Sequence, residues 1–301
     1  MKYRIKIYSS FCSCDRAKSA IEELLTSNIS FYGEGVQDNV FIVGGTDTDF
    51  THIIIWNTAM PSIPDNIPKE NVIGLAYEPA TLLRNEFSNG FISYAQANIH
   101  RYYIGDATGL PSPFVSGNSY LTYSPPRPNH CLLKHTCMSV ILSEKNFLQG
   151  HDYRHSLVKC ILNNKLPIDI FGRGTRVGEY RGPRCSSPLL SDRIKGPFDK
   201  YEPYDGYLFH ICIENVVSDD YFSEKVINPL LCNTTPVYLG AKNIHSYFPN
   251  NIISLTGNLA ADMTMLVDIL QNPLAYYRSI DVTSVERSVS LVNNVASLFG
   301  K

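Results

Sequence analysis

The chain has 301 residues, 44% hydrophobic and 18% charged, and a formal net charge of −2. This composition excludes a disordered chain and gives no bulk electrostatic attraction to nucleic acid or an anionic membrane, while the length suffices for two domains. The chain lacks the run of about 18 apolar residues that a membrane span needs, and the opening MKYRIKIYSS alternates like a strand instead of carrying a signal peptide's apolar core, so a soluble, cytoplasmic protein is expected.

Lys2 to Tyr8 has the period-two polarity of a strand. Asp15 to Leu25 reads as a helix capped by Asp15, with Ala17, Ala20, Ile21, Leu24 and Leu25 on one face. Short buried strands are expected at Phe41 to Val43, Thr51 to Trp56 and Val72 to Ala76, the last running into Tyr77-Glu78-Pro79. Phe91 to Ala95 and Tyr102 to Ile104 read as further strands. Asp47-Thr48-Asp49 matches the D-x-D pattern by which many transferases hold a divalent metal, but its Gly and Thr neighbours favour a turn. Residues 111–129 are loop-rich, and their proline-dense end, 124–129, is the expected linker.

Beyond it, Met138 to Leu142 reads as a strand and Tyr153 to Leu162 as a helix with Arg154 in its first turn. Ile168 to Phe171 is a strand ending in Gly172-Arg173-Gly174, and 175–205 lacks periodicity, as a long surface loop would. The apolar strand from Tyr207 to Ile213 stops at Glu214-Asn215. A polar loop, Val216 to Asp220, opens a helix whose first turn carries Tyr221, Glu224 and Lys225, and a short strand from Pro236 to Leu239 halts at Gly240. Pro229 can sit in that helix only with a kink or a lost hydrogen bond. Helices are expected from Ala260 to Leu270 and, amphipathic, from Val285 to Leu298.

Alternating strands and helices in two halves predict an α/β protein of two doubly wound parallel-sheet domains. The expected boundaries are 1–128 and 129–285, with a C-terminal helix, 286–301, packing back on the first domain. The cysteines form no zinc-like set: Cys12 and Cys14 are too close, and Cys160, Cys185, Cys212 and Cys232 are scattered. His130, Cys131, His135 and Cys137 cluster on a strand without a second ligand pair, so no metal site is expected and reduced thiols are.

The chemistry gathers where strands hand over to helices, the place open α/β sheets bind ligands. Lys225 is a cation at the positive end of its helix's macrodipole, unfavourable unless an anion sits there too. A phosphate removes the conflict, and Arg154 poses the same puzzle one βα unit earlier. Glu78 ends an apolar strand, and Pro79 holds it in an extended or turn conformation, a placement suited to a general base.

Ile213-Glu214-Asn215, Asp220-Tyr221-Phe222-Ser223-Glu224-Lys225 and Pro236-Val237-Tyr238-Leu239-Gly240 together resemble the donor-site motif of the α1,3/4-fucosyltransferases, glycosyltransferase family 10. The departures are Ile213 for an aromatic residue, Ser223 for Thr, and Pro229 where a helix former is usual. The resemblance implies a GT-B fold, with the acceptor on the first domain and the nucleotide sugar on the second, in a form without a Golgi anchor like bacterial or viral members. It implies that Arg154 and Lys225 hold the diphosphate, that Glu224 contacts the donor sugar, that Asn215 and Tyr221 are donor-site residues, and that Glu78 is the base. The implied reaction is inverting, metal-independent transfer from GDP-fucose to a hydroxyl of a glycan or glycoprotein, with the nucleotide sugar as co-substrate and no cofactor. Alternatives are another donor such as UDP-xylose, an inactive glycan- or nucleotide-binding protein, and a GT-A enzyme using Asp47 and Asp49 with manganese.

Overall fold

The structure is a computed structural model and describes residues 2–27, 39–121, 134, 136–183, 185–199 and 201–300. The chain divides into two compact units: Met1–Pro128 with Ser218–Tyr221 and Thr283–Lys301, and Asn129–Val217 with Phe222–Val282.

In the first unit, β1 (Tyr3–Ser9), β2 (Val40–Val43), β3 (His52–Trp56), β4 (Val72–Leu75), β5 (Arg101–Ile104) and β6 (Phe114–Ser116) form one sheet in the order β2-β1-β3-β4-β5-β6. Every pairing is parallel. Parallel strands covered on both faces need apolar side chains at successive positions, and β3, HIIIW, is buried along its whole length. Ile54, Trp56, Ile73 and Leu75 point into one core with Ala17 and Ile21 of α1 (Cys14–Ser27). Their neighbours Ile53, Ile55 and Val72 point into another, with Leu83 of α2 (Ala80–Glu86) and Ala95 of α3 (Ile92–Asn98).

In the second unit, β7 (Thr136–Ile141), α4 (Gln149–Asn163) and β8 (Ile168–Phe171) lead into a small antiparallel sheet of β9 (Thr175–Arg176), β10 (Glu179–Tyr180) and β11 (Leu189–Leu190). β12 (Ile194–Gly196), β13 (Tyr207–Ile213), α5 (Glu224–Leu231), β14 (Thr235–Leu239), α6 (Ile244–Tyr247), β15 (Ile253–Ser254), α7 (Leu259–Gln271) and α8 (Pro273–Tyr276) follow. The main sheet runs β12-β8-β7-β13-β14-β15, again parallel throughout. Its core joins Met138, Val140, Ile170, Phe209 and Ile211 to Leu157 and Ile161 of α4 and Leu266 and Ile269 of α7. After it come α9 (Val282–Val289) and α10 (Leu291–Phe299), whose Leu291, Val292, Val295 and Leu298 join the core of β1 and β3.

Several expectations are corrected. Phe91 to Ala95 is helical, entering α3 through a π-helical turn over Phe87–Phe91. The 111–129 stretch contains the edge strand β6, and 175–205 contains four short strands. The helix expected from Val285 to Leu298 is two helices, since Ser290 leaves helical geometry at ψ 126°. Asp15 does not cap α1: Ser13 Oγ accepts from the Arg16 N–H at 3.3 Å, and Asp15 Oδ1 accepts from Gly45 N–H at 2.8 Å. Asp47 Oδ2 accepts from Gly44 N–H at 2.6 Å, while Asp49 pairs with Arg4 at 3.1 Å, so the D-x-D segment is engaged in a turn. The proline-dense linker, His130, Cys131 and His135 lie outside the described residues, and Cys137 is on β7.

Candidate functional site

The polar groups of the second unit converge at the carboxyl end of β13. Seven buried or nearly buried residues carry the chain to Ile213, and Glu214 follows with its side chain fully enclosed. A carboxylate there needs partners, and α5 supplies them. Ser223, the N-cap, donates its N–H to Glu214 Oε1 at 2.8 Å and its hydroxyl to Oε2 at 2.8 Å. Lys225 Nζ lies 3.5 Å from Glu214 Oε2, 3.1 Å from Glu224 Oε1 and 3.0 Å from Ser223 Oγ.

Lys225 therefore does sit in the first turn of α5, against the dipole, but the anions that compensate it are the protein's own Glu214 and Glu224. That corrects the inference that a phosphate is required to explain its position. Burial opposes the charge of Lys225, yet the two carboxylates outweigh it and hold the ammonium above its ordinary pKa. Burial pushes Glu214 up, and the Lys225 ammonium pulls it only partly back. Glu224, half-exposed, ends below the ordinary glutamate value because Lys225 overcomes its desolvation.

From the other side comes α4. It begins at Gln149, four residues before the expected start, so Arg154 is its sixth residue and not in the first turn. Arg154 is 5% exposed and donates from Nη2 to the Ile213 carbonyl. The early start has a steric cause. Gly150 donates its N–H to the Asn215 carbonyl at 3.1 Å, and a Cβ there would meet the Glu214 carbonyl oxygen at 1.8 Å. Only glycine lets α4 come this close to the strand end, and Gly240 does the same at the end of β14, where a Cβ would lie 2.5 Å from Glu214 Cγ. Gly150→Ala is expected to cost about 1–3 kcal/mol by overpacking and to displace Arg154; an unchanged melting temperature would refute the close approach.

Of the residues singled out in the sequence, Arg154, Asn215, Glu224 and Lys225 are brought together here. Tyr221 lies before α5 instead of inside it, is buried, and belongs with the first unit, its Cβ 2.7 Å from where a side chain on Gly105 would begin. Glu78 is also in the first unit, half-buried in the bend between β4 and α2. The sequence reading missed three members: Glu214, Ser223 and His151. His151, buried beside Arg154, is pushed down to about 4 by desolvation and the Arg154 charge, so it is neutral at pH 7. The signal for Glu214 was present, since an acid closing a buried, largely apolar strand must find a cation. In the same unit, beyond the carboxyl ends of β7 and β8, lies a cavity of about 550 Å³ lined by Arg173, Arg176, Arg181, Glu144 and Glu179 among others.

Residues 133–271, which contain the whole cluster, match the model of glycosyltransferase family 10 (fucosyltransferase), C-terminal part. In this segment the chain is thus similar to the fucosyltransferases of family 10. A GDP-fucose protein O-fucosyltransferase 3 of Danio rerio is 42% identical over 60 residues, 20% of this chain and 13% of that protein. An α-(1,3)-fucosyltransferase B of Drosophila melanogaster is 24% identical over 82% of this chain and 50% of its own length. The chain thus spans half or less of these two relatives. A crystal structure of an α1,3-fucosyltransferase with GDP matches at TM-score 0.51 and 11% identity, covering 99% of this chain and 92% of that one. At that identity the likeness carries the fold, which is the expected GT-B class of two parallel-sheet α/β units. Among the described residues, no helix is long and apolar enough to cross a membrane.

Proposed function

We propose that the chain is an inverting, metal-independent glycosyltransferase that moves fucose from GDP-fucose to a hydroxyl of a glycan or glycoprotein. The observation that carries this reading is that the buried Arg154–Glu214–Ser223–Lys225 cluster closes β13 inside the segment matching the fucosyltransferase family. Arg154 and Lys225 stabilise the departing diphosphate, whose charge grows as the glycosidic bond breaks. Glu214 acts through Lys225, fixing the ammonium with a carboxylate that cannot itself reach solvent. Glu224, on the exposed side of Lys225, and Asn215 contact the donor sugar, and Tyr221 supports the entry to α5. The 550 Å³ cavity has room for the nucleoside, with guanidinium and carboxylate groups to meet a base and ribose. Glu78 takes the proton of the acceptor hydroxyl.

Two measurements test the proposal. GDP and GDP-fucose are expected to raise the melting temperature more than UDP or UDP-xylose does, because a ligand of the folded state stabilises it; no shift with any of the four rejects the nucleotide-sugar reading, and a preference for UDP reassigns the donor. Glu78→Gln is expected to lower transfer on the order of a hundredfold or more while leaving the GDP shift intact. Full activity of that variant would remove Glu78 from the mechanism.

A further inference from the structure

The carboxyl end of the first unit's sheet carries an aromatic cluster, rooted in the core through Trp56, whose outer ring neither the core nor the donor site uses. Phe11 follows β1, Trp56 ends β3, Tyr77 follows β4, and Tyr120 lies in the loop after β6. The Phe11 and Trp56 rings stack with centroids 5.7 Å apart and planes within 3°. Tyr77 packs edge-on against both, at 6.0 and 5.3 Å, and Tyr120 packs edge-on against Tyr77 at 5.1 Å. Trp56 is wholly buried beneath this group, while Phe11 is 46% exposed. A large aromatic that lay there by chance would be free to turn away. Phe11 is held instead: its ring lies stacked on Trp56, and the backbone beneath it is anchored by its own N–H donating to Ser9 Oγ at 3.1 Å and by the Cys12 N–H reaching the same oxygen. Tyr77 is held from two sides, its N–H donating to Asn57 Oδ1 at 2.8 Å and its hydroxyl to the Leu121 carbonyl at 2.7 Å.

A fixed aromatic face, backed by a second ring and open to solvent, presents negative π density over an apolar surface. The ligand complementary to it is one that is apolar on one face with slightly positive C–H groups and polar around its edge. A pyranose ring has that construction. A peptide or lipid partner would call for a wider apolar surface, and the cluster offers one open ring. Its position is also where doubly wound sheets bind ligands, and Glu78 is the residue immediately after Tyr77.

We propose that Phe11, stacked on Trp56 and braced by Tyr77 and Tyr120, is the platform on which a sugar ring of the acceptor rests. This rests on the transfer reading above, to which it adds the acceptor's seat. Ring stacking favours pyranosides with one uncluttered C–H face, so β-galactosides are expected to bind better than α-mannosides, whose axial O1 and O2 crowd both faces.

Trp56 is the only tryptophan of the chain, so its fluorescence reports the platform directly. Titration of the full chain with methyl β-galactoside, lactose and methyl α-mannoside is expected to give a saturable emission change, strongest for the galactosides. In Phe11→Ala the apparent affinity falls about two- to tenfold, in line with the loss of one stacked ring, while Phe11→Tyr retains it. Under turnover, Phe11→Ala raises the acceptor KM with the donor KM unchanged. Because Phe11 is half-exposed, the alanine variant is expected to keep its melting temperature. Saccharide titrations without effect on Trp56, or unaltered in Phe11→Ala, overturn the proposal. The GDP melting shift separates the two readings. A GDP shift with no saccharide response sinks the platform alone, whereas saccharide binding without a nucleotide shift leaves the platform and sinks the transferase.

Discussion

Lys225→Met is expected to weaken GDP binding on the order of a hundredfold and to destabilise the second unit by about 2–3 kcal/mol at pH 8. The second effect follows from Glu214, whose side chain is fully enclosed and whose nearest cation is the Lys225 ammonium. Removing one partner of a buried pair typically costs about 3–5 kcal/mol, since the survivor keeps its desolvation penalty. Here the cost is lower for two reasons. Glu214 keeps the Ser223 N–H and hydroxyl as donors, and it escapes further penalty by taking a proton, toward which burial already pushes it. The variant's Glu214 has a folded-state pKa raised still further, so its deficit is full at alkaline pH and shrinks as the pH falls through that pKa.

The double variant Lys225→Met/Glu214→Gln separates structure from function. A neutral amide no longer needs the cation, and it still accepts from Ser223, so much of the lost stability returns. Nucleotide affinity does not return if Lys225 itself meets the diphosphate. Calorimetric melting and GDP titration of both variants decide the matter. Recovery of GDP binding in the double variant would show that Lys225 only neutralises Glu214.

The groups behind these effects are unequally legible in the sequence. The two parallel sheets could be read because strands such as β3 and β13 are runs of strand length that are apolar or aromatic at every position but one histidine, bounded by polar or turn residues. Lys225 could be read because a cation at the start of a helix is conspicuous. Glu214 was less visible, since its partners Ser223 and Lys225 are on another element and only the fold brings them within reach. The start of α4 was hidden for a similar reason: Gly150 is a poor helix former, and its merit is the room it leaves for the Glu214 carbonyl. Phe91 to Ala95 misled because a five-residue run rich in aromatic and apolar side chains fits a strand or a buried helix equally well. The strands within 175–205 are two or three residues long, too short for any period to register.

Glu286→Met is expected to stabilise the protein at pH 8 by about 3 kcal/mol and to leave it unchanged near pH 4. Glu286, on α9, is 1% exposed, and both of its carboxylate oxygens lack a hydrogen-bond partner among the described residues. So do Ser290 Oγ and Asn293 Nδ2, four and seven residues further along the chain. Burial pushes the Glu286 carboxyl from 4.5 up to about 7. Below pH 4.5 the group is protonated in both folded and unfolded chains and costs only its unmade hydrogen bonds. Between 4.5 and 7 the unfolded chain releases the proton first, so the native state binds more protons and stability falls as pH rises. Above 7 both forms are ionised and the full penalty persists. Methionine has a similar length and no charge to desolvate, so the wild-type and variant melting temperatures should converge at pH 4 and separate through pH 7, by about 5–10 °C at the plateau. Glu286→Gln should recover less, because the amide still needs partners for its own polar atoms. A constant difference between the wild-type and methionine curves across that range would show that the carboxyl is not held protonated at neutral pH, and that its burial is relieved by groups other than those packed against α9.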